Sequence, residues 1–164
     1  MLSAPGMVRK PSSAGKENNE IKEFEMPVKT GNISLNTKGN TDAFDITREL
    51  ERLITESGLS TGILTVFCPS STSGVTTVEF EQGAVGDLKR LFEELVPSKR
   101  DYAHNAKWDD GNGHSHMRAS LLGPSLSVPF VSKTLTLGTW QQVVYLDFDI
   151  RPRHRELVVQ MVGE

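Results

Sequence analysis

Hydrophobic and polar positions follow a helical rhythm in three parts of the chain. Asp45 can cap a helix whose apolar residues recur every three or four positions until Gly58. Gly83 to Val96 has the clearest apolar face, and Pro97 stops that second helix. Met117 to Leu122 suits one or two further helical turns, which Gly123-Pro124 ends. The pattern therefore predicts few helices.

Strand-length apolar or β-branched runs are more numerous. They are Ile21–Val28 and Ile33–Thr37 around a turn at Thr30-Gly31-Asn32, then Gly62–Cys68, Val75–Phe80, Leu126–Val131, Leu135–Leu137, Gln142–Phe148 and Leu157–Val162. Links of hairpin length dominate, which favours an α+β fold with antiparallel sheet over alternating βαβ units. Residues 1–19 offer almost nothing to bury and predict a disordered tail before one domain over residues 20–164.

Composition narrows the class of protein. The 164 residues carry a net charge of −3, and the pI near 5.8 gives no electrostatic footprint for nucleic acid. We expect neither a signal peptide nor a membrane span, since no apolar run approaches the roughly 20 residues that a bilayer requires. The single cysteine, Cys68, excludes an internal disulfide and fits a buried apolar position. A cytoplasmic location is the resulting expectation.

The segment from Tyr102 to Arg118 concentrates the groups that could do chemistry. It holds three of the four histidines, His104, His114 and His116, together with carboxylates and amides. Neutral imidazole binds zinc, nickel, copper or iron. His114 and His116 face the same way only on extended backbone, so a two-histidine clamp requires an extended stretch after Gly111-Asn112-Gly113. The alternative is a polar loop whose histidines bond to backbone.

Three other polar stretches each allow two interpretations. Hydroxyls and backbone amides in Pro69–Thr77 can cradle phosphate or form an ordinary turn, and no P-loop pattern is present. Glu79 and Glu81 lie on the same face of the predicted strand. They could supply a general base or a third metal ligand, or they could simply form a solvated face. Arg151–Arg155, with His154, is a solvated strand end or an anion site.

The chain resembles the YjbQ family, also called UPF0047. The resemblance rests on His116–Pro129 and on Leu135–Gln142, which contains the run Leu-Gly-Thr-Trp-Gln. Tyr102-x-His104-Asn105, Asn112–His116 and Ser71–Gly74 match as well. Several ungapped motifs thus occur in the family's order over roughly residues 20 to 164.

This resemblance implies a compact α+β domain of antiparallel sheets that assembles as a homotrimer. It also implies a site of histidines and hydroxyls near a subunit boundary, with a metal or an anion bound. Some members are credited with a weak thiamine-phosphate synthase activity, which joins hydroxymethylpyrimidine diphosphate to thiazole phosphate and releases pyrophosphate. That reaction would need magnesium and a cradle for diphosphate.

Two positions depart from the family pattern. Ser71 stands where the family often has a histidine, which removes a potential ligand or acid from the synthase chemistry. Lys133 stands where the signature has glycine, so that turn must change conformation or accept a positive φ. Trp140, within the signature, either walls a pocket or belongs to the core or a trimer interface.

The residues and the resemblance together give two hypotheses. In the first, an enzyme binds a divalent metal, zinc or magnesium, and a small phosphorylated molecule. The metal ligands are His104, His114 and His116, the substrate-binding residues are Thr72, Ser73, Arg118, Ser125 and Gln141, and the catalytic residues are Asp110, Glu79 and Asn112. In the second, a non-catalytic trimer binds a metal or anion, because no complete nucleophile–base arrangement is present.

Overall fold

The computed structural model describes residues 26–164 as eight strands and four helices. In chain order they are β1 (Val28–Thr37), β2 (Asp42–Asp45), α1 (Thr47–Ser57), β3 (Gly62–Phe67), β4 (Ser73–Val78), α2 (Gln82–Leu95), α3 (Ala103–Trp108), α4 (Gly113–Leu122), β5 (Ser125–Val131), β6 (Thr134–Leu135), β7 (Gln142–Asp147) and β8 (Arg153–Gly163). The predicted tail, residues 1–19, lies outside the described residues. Within them no helix is long and apolar enough to cross a bilayer.

The strands form two antiparallel sheets. One has five strands in the order β1-β8-β3-β5-β6, and the other has three in the order β2-β7-β4. Every strand pair in the described part of the chain is antiparallel. The predicted α+β class with antiparallel sheet is therefore confirmed.

Strand β7 is buried on both faces and joins the two parts of the core. Val143 and Tyr145 face the cluster between the sheets, where α1 also packs. Val144 and Leu146 point the other way, toward Phe92 of α2 and a residue of α4. Since side chains alternate across a strand, this one element requires apolar residues at consecutive positions.

Local signals explain where the helices begin. Asp45 Oδ1 accepts hydrogen bonds from the Thr47 N–H at 2.9 Å and from its hydroxyl, although the cap position itself is Ile46, one residue later than predicted. The Glu81 carboxylate accepts from the N–H groups of Gly83 and Ala84 at the start of α2, so Glu81 is a helix cap and not the strand residue that alternation indicated. Gly58 ends α1 with φ 78°.

The predicted turn at Thr30-Gly31-Asn32 is wrong. Strand β1 runs straight through it and pairs with β8, with Gly31 opposite Val159. Gly31 serves packing instead: a Cβ there would lie 2.7 Å from Leu53 Cδ2, so the glycine lets α1 approach the sheet. The part of the first predicted strand before Met26 lies outside the described residues.

The β5–β6 hairpin shows how the chain manages without the family's glycine. Ser132 and Lys133 both have positive φ, 50° and 65°. Two consecutive positive φ values match the tight turns that suit hairpin twist, although a side chain makes them less favourable. The change from glycine to Lys133 therefore leaves the turn in the left-handed region.

Removing side-chain volume from the doubly buried strand should be costly. We expect Leu146→Ala to lower the free energy of unfolding by about 2–5 kcal/mol, since it leaves a cavity against α2 and α4. Leu121→Ala, at an exposed position of α4, is the control and should change it by less than about 0.5 kcal/mol. Urea unfolding of both variants checks this, and equal effects would contradict the packing.

Candidate functional site

The loop between β3 and β4 is held by a buried ionic cluster. Arg155 of β8 donates from Nε and Nη2 to the two carboxylate oxygens of Asp147, at 2.8 and 2.9 Å. Its Nη1 donates to Ser70 Oγ at 2.9 Å and its Nη2 to Thr72 Oγ1 at 2.8 Å. One guanidinium thus fixes the end of β7 and two hydroxyls of the loop at once.

A second ion pair completes this cluster. Arg153 Nε donates to Asp149 Oδ2 at 2.8 Å, and Asp149 N–H donates to Asp147 Oδ1 at 2.9 Å. Burial alone would raise the pKa of Asp149, but the Arg153 guanidinium and neighbouring donors hold it below its usual value. Asp149 therefore stays charged, and Arg153 and Arg155 of the basic segment are held in ion pairs with Asp149 and Asp147. His154 between them is exposed, with Nδ1 2.9 Å from Asn36 Oδ1.

Two recesses flank the Ser70–Ser73 loop and share Ser70 and Ser73 as a wall. The serine recess has a volume of about 210 Å³ and is lined by Ser70, Ser71, Ser73, His116, Ala119, Ser120 and Pro124. The arginine recess has a volume of about 260 Å³ and is lined by Cys68, Pro69, Ser70, Ser73, Tyr145, His154, Arg155, Glu156 and Leu157. Ser73 Oγ, between them, is buried without a hydrogen-bond partner among the described residues.

The histidine segment is helical, which overturns the extended clamp. His114 and His116 both lie on α4, where residues two apart point in different directions. His114 is buried beside Tyr102, with ring centroids 6.4 Å apart. His116 faces the serine recess and contacts the His104 ring at 4.4 Å. The Asp110 carboxylate lies 3.5 Å from His104 Nε2.

The predicted metal set does not fit this geometry. A zinc site needs its ligand atoms about 2 Å from one ion, whereas His114 is turned away from His104 and His116. Over residues 26–164 no group of three or more His, Cys, Asp or Glu side chains is placed to hold a metal ion. His104, His116 and Asp110 do form a cluster at the edge of the serine recess.

Arg118 and Asn112 have structural surroundings. The Arg118 guanidinium is buried and donates to the Val96 carbonyl, Thr41 Oγ1 and the Glu93 carboxylate. It joins α4 to the end of α2 and lines neither recess, so the structure does not bring it together with the predicted phosphate-binding serines. Asn112 precedes the first turn of α4, with its Oδ1 buried and unpartnered in the described part of the chain.

The remaining predicted site residues are dispersed. Thr72 is buried within the ionic cluster, where it bonds Arg155 and Asp149. Ser125 is exposed at the start of β5. Gln141 holds its own loop through Gly138 N–H and Thr77 Oγ1. Glu79 follows the opposite end of β4 from Ser73, so the structure does not bring it to either recess.

The exposure of Trp140 and the burial of Cys68 bear on the alternative interpretations of these two residues. Trp140 is exposed and therefore does not belong to this chain's own core. Cys68 is buried, as predicted, and burial raises the pKa of its thiol to about 12. The thiol therefore stays protonated and is a poor nucleophile.

Asp147, Asp149 and Tyr145 were not predicted from the sequence. Arg155 was named only as part of Arg151–Arg155, a solvated strand end or an anion site. A signal was available, because Asp147 and Asp149 are two apart at the end of an apolar run and Arg153 and Arg155 are two apart at the next strand. Alternation of this kind puts charges on one face of each strand. The buried Tyr145 had no such signal, since it lies within a continuous apolar run.

Comparisons with known proteins agree on one family. A family model described as "UPF0047 protein YjbQ-like" matches residues 31–164. A UPF0047 protein of Methanothermobacter thermautotrophicus is 37% identical over 85% of this chain and 95% of its own length. The UPF0047 protein YugU of Bacillus subtilis is 33% identical over 80% and 97%.

Solved structures show the same similarity. A YbjQ-like protein of unknown function from Sulfolobus solfataricus superposes with a TM-score of 0.81 and 29% identity, over 85% of this chain and 100% of that one. A YjbQ/UPF0047 protein from Clostridium acetobutylicum gives 0.73 and 34%, over 79% and 98%.

The buried His114 should make stability depend on pH. Burial, together with the Arg118 charge, lowers the pKa of His114, so the unfolded chain takes up a proton at a pH where the folded chain does not. Its contribution to stability is complete above the ordinary imidazole pKa and decreases as the pH falls below it. We expect the free energy of unfolding to drop more between about pH 7.5 and 5.5 in the native protein than in His114→Gln.

Urea unfolding at the two pH values measures this difference. His154→Gln is the matched control, because His154 is exposed and should leave the native pH dependence unchanged. The same pH slope in His114→Gln as in the native protein would contradict the assignment to His114.

Proposed function

The chain belongs to the YjbQ-like UPF0047 family, and on that premise we propose that it is an enzyme that binds a phosphorylated small molecule in the serine recess. The reaction to test first is the family's thiamine-phosphate synthase chemistry, in which hydroxymethylpyrimidine diphosphate and thiazole phosphate are joined and pyrophosphate leaves. The proposed location is cytoplasmic.

One observation carries this proposal: the recess gathers four serines and one imidazole. Ser70, Ser71 and Ser73 come from the loop and Ser120 and His116 from α4. Hydroxyls and imidazole can all donate hydrogen bonds to phosphate oxygens. Because Arg155 already holds the loop through Ser70 and Thr72, little entropy remains to be lost when a substrate binds.

His116 is the residue that we assign to proton transfer. An imidazole can give or take a proton near neutral pH, and here it could protonate the departing diphosphate. His104, in contact with His116, and Asp110, beside His104, are positioned to orient it. Asp110 thus keeps a supporting role, whereas Glu79 has none in this proposal.

A divalent metal, zinc or magnesium, stays a prediction. The three-histidine ligand set does not fit, so no step of this proposal passes through a metal ion. Assays with and without added magnesium test whether the substrates bring a requirement for one.

The test is turnover by the purified full chain with the two synthase substrates. We expect His116→Asn to lower kcat by about 10²-fold or more, since asparagine keeps a polar side chain but cannot transfer a proton. Ser120→Ala should raise KM more than it lowers kcat, because it removes one donor to bound phosphate. Ser127→Ala, an exposed serine of β5, is the control and should leave both constants unchanged.

Two results would contradict the enzymatic proposal. Full turnover by His116→Asn would remove His116 from the mechanism. Binding of the substrates by the native chain with no turnover would instead support the alternative, a non-catalytic trimeric protein that binds a metal or anion.

We also propose that the chain forms a homotrimer through the outer face of the five-stranded sheet. Ile63 and Phe67 are exposed on β3, and Phe67 lies opposite Val158 of β8, which is also partly exposed. A row of exposed apolar side chains on a sheet face is typical of an association surface. The absence of a charged residue at these positions supports burial in an assembly.

A charge placed in that row should break the assembly. We expect Phe67→Glu to reduce the mass in solution from three chains to one, because burial of an unpaired carboxylate is unfavourable. Leu91→Glu, at an exposed position of α2, should leave the mass unchanged. Size-exclusion chromatography with light scattering measures both, and a native chain that is already monomeric would refute the trimer.

A further inference from the structure

We propose that the arginine recess is a second anion subsite, which binds one phosphate group through Tyr145, Ser73 and Arg155. It lies on the far side of the Ser70–Ser73 loop from His116, so it is separate from the serine recess. The subsite rests on the proposed function only through Ser70 and Ser73, which line both recesses.

Two orphaned hydroxyls indicate a ligand here. The Tyr145 hydroxyl and Ser73 Oγ are both buried, both belong to residues that line the recess, and neither makes a well-formed hydrogen bond among the described residues. The Ser73 hydroxyl lies near enough to Tyr145 and Cys68 to oppose the rise that burial causes in their pKa. Leaving a buried hydroxyl unsatisfied costs about 1–3 kcal/mol. Two such groups beside one cavity are therefore better explained by a ligand than by packing alone.

Arg155 adds a third donor. A guanidinium carries five N–H groups, and four of them are engaged by Asp147, Asp149, Thr72 and Ser70, with Asp149 Oδ2 the most distant acceptor at 3.3 Å from Nη2. The second N–H on Nη1 has no partner in the described part of the chain. It belongs to the group that lines the recess, and it is already aligned by the ion pair.

All three groups are donors at neutral pH. Burial raises the pKa of the Tyr145 phenol, so this hydroxyl keeps its proton. Burial likewise keeps the adjacent Cys68 thiol neutral. A site with three donors, one of them a guanidinium, favours an oxyanion over a cation. His154 and Glu156 stand at the exposed mouth of the recess.

The recess has room for more than a single water. Its volume is about 260 Å³, whereas one water occupies about 30 Å³ in the liquid. A phosphate group with part of its ester fits such a space. A substrate that carries two phosphate groups, or two phosphorylated substrates, could then occupy both sides of the loop.

Isothermal titration of the full chain with inorganic phosphate tests the subsite. We expect Tyr145→Phe to weaken phosphate binding by about tenfold, which is the effect of one hydrogen bond to a charged group. Tyr102→Phe is the matched control, since its hydroxyl donates to the Pro97 carbonyl outside both recesses. Tyr102→Phe should bind phosphate as the native chain does.

Unfolding of the same variant distinguishes a ligand-binding hydroxyl from a structural one. Because the Tyr145 hydroxyl has no partner to lose, Tyr145→Phe should be at least as stable as the native protein in urea, while it loses phosphate affinity. Equal affinity for phosphate in the native and Tyr145→Phe proteins would overturn the subsite. So would marked destabilisation by Tyr145→Phe, which would indicate a structural hydrogen bond.

A crystal of the native protein grown with phosphate gives an independent result. Phosphate within hydrogen-bond distance of Tyr145 and Arg155 supports the subsite, whatever the variant does. Phosphate bound only beside His116 and Ser120 would overturn it and leave the proposed function intact. Loss of turnover in His116→Asn with phosphate still bound at Tyr145 would keep the subsite and locate catalysis in the serine recess.

Discussion

The ion pair between Arg155 and Asp147 is the interaction on which the site depends. Both groups are largely buried, with 15% and 0% of their side chains exposed, so the cost of removing two charges from water must be offset by geometry. The bidentate contact, with further bonds to Ser70 and Thr72, provides that geometry. Replacing such a pair by apolar residues is often neutral for stability, which favours a positional role here.

That positional role links two sheets that share no strand pairing with each other. Asp147 ends β7 of the three-stranded sheet, while Arg155 lies on β8 of the five-stranded sheet. The loop between β3 and β4 also runs from one sheet to the other, and its hydroxyls bond the same guanidinium. The two recesses therefore owe their shape to one charged side chain that spans the sandwich.

Sequence periodicity predicted most elements because apolar residues recur about every 3.6 positions in a helix and every second position in a strand. It located α1, α2 and most of the strand runs but missed the short β2 and α3. It failed where two causes produce the same residue. Glycine marks turns, but Gly31 is present because Leu53 packs on it. The Gly-Asn-Gly run before His114 was equally compatible with an extended stretch, whereas the chain forms α4 there. The family resemblance singled out this segment and did not supply its conformation.

The site was harder to predict, because its residues are joined by contacts between distant parts of the chain. Ser73 and His116 are 43 positions apart in the sequence numbering and meet only because α4 packs on β4. Arg118 was predicted to bind phosphate because it is charged, yet in the folded chain its guanidinium bonds to Val96 and Glu93 at the end of α2. A charge in sequence does not reveal whether its partner is a ligand or the protein itself.

The unpartnered hydroxyls separate those two possibilities. Arg118 donates to Val96, Thr41 and Glu93 within the protein and lines neither recess, so folding explains its position. Folding does not explain the hydroxyls of Tyr145 and Ser73, since phenylalanine and alanine would pack at these positions without an unsatisfied group. A chain selected for stability alone has no reason to keep both hydroxyls buried beside a cavity. Their retention next to a pre-aligned guanidinium is most simply understood as stability given up for binding.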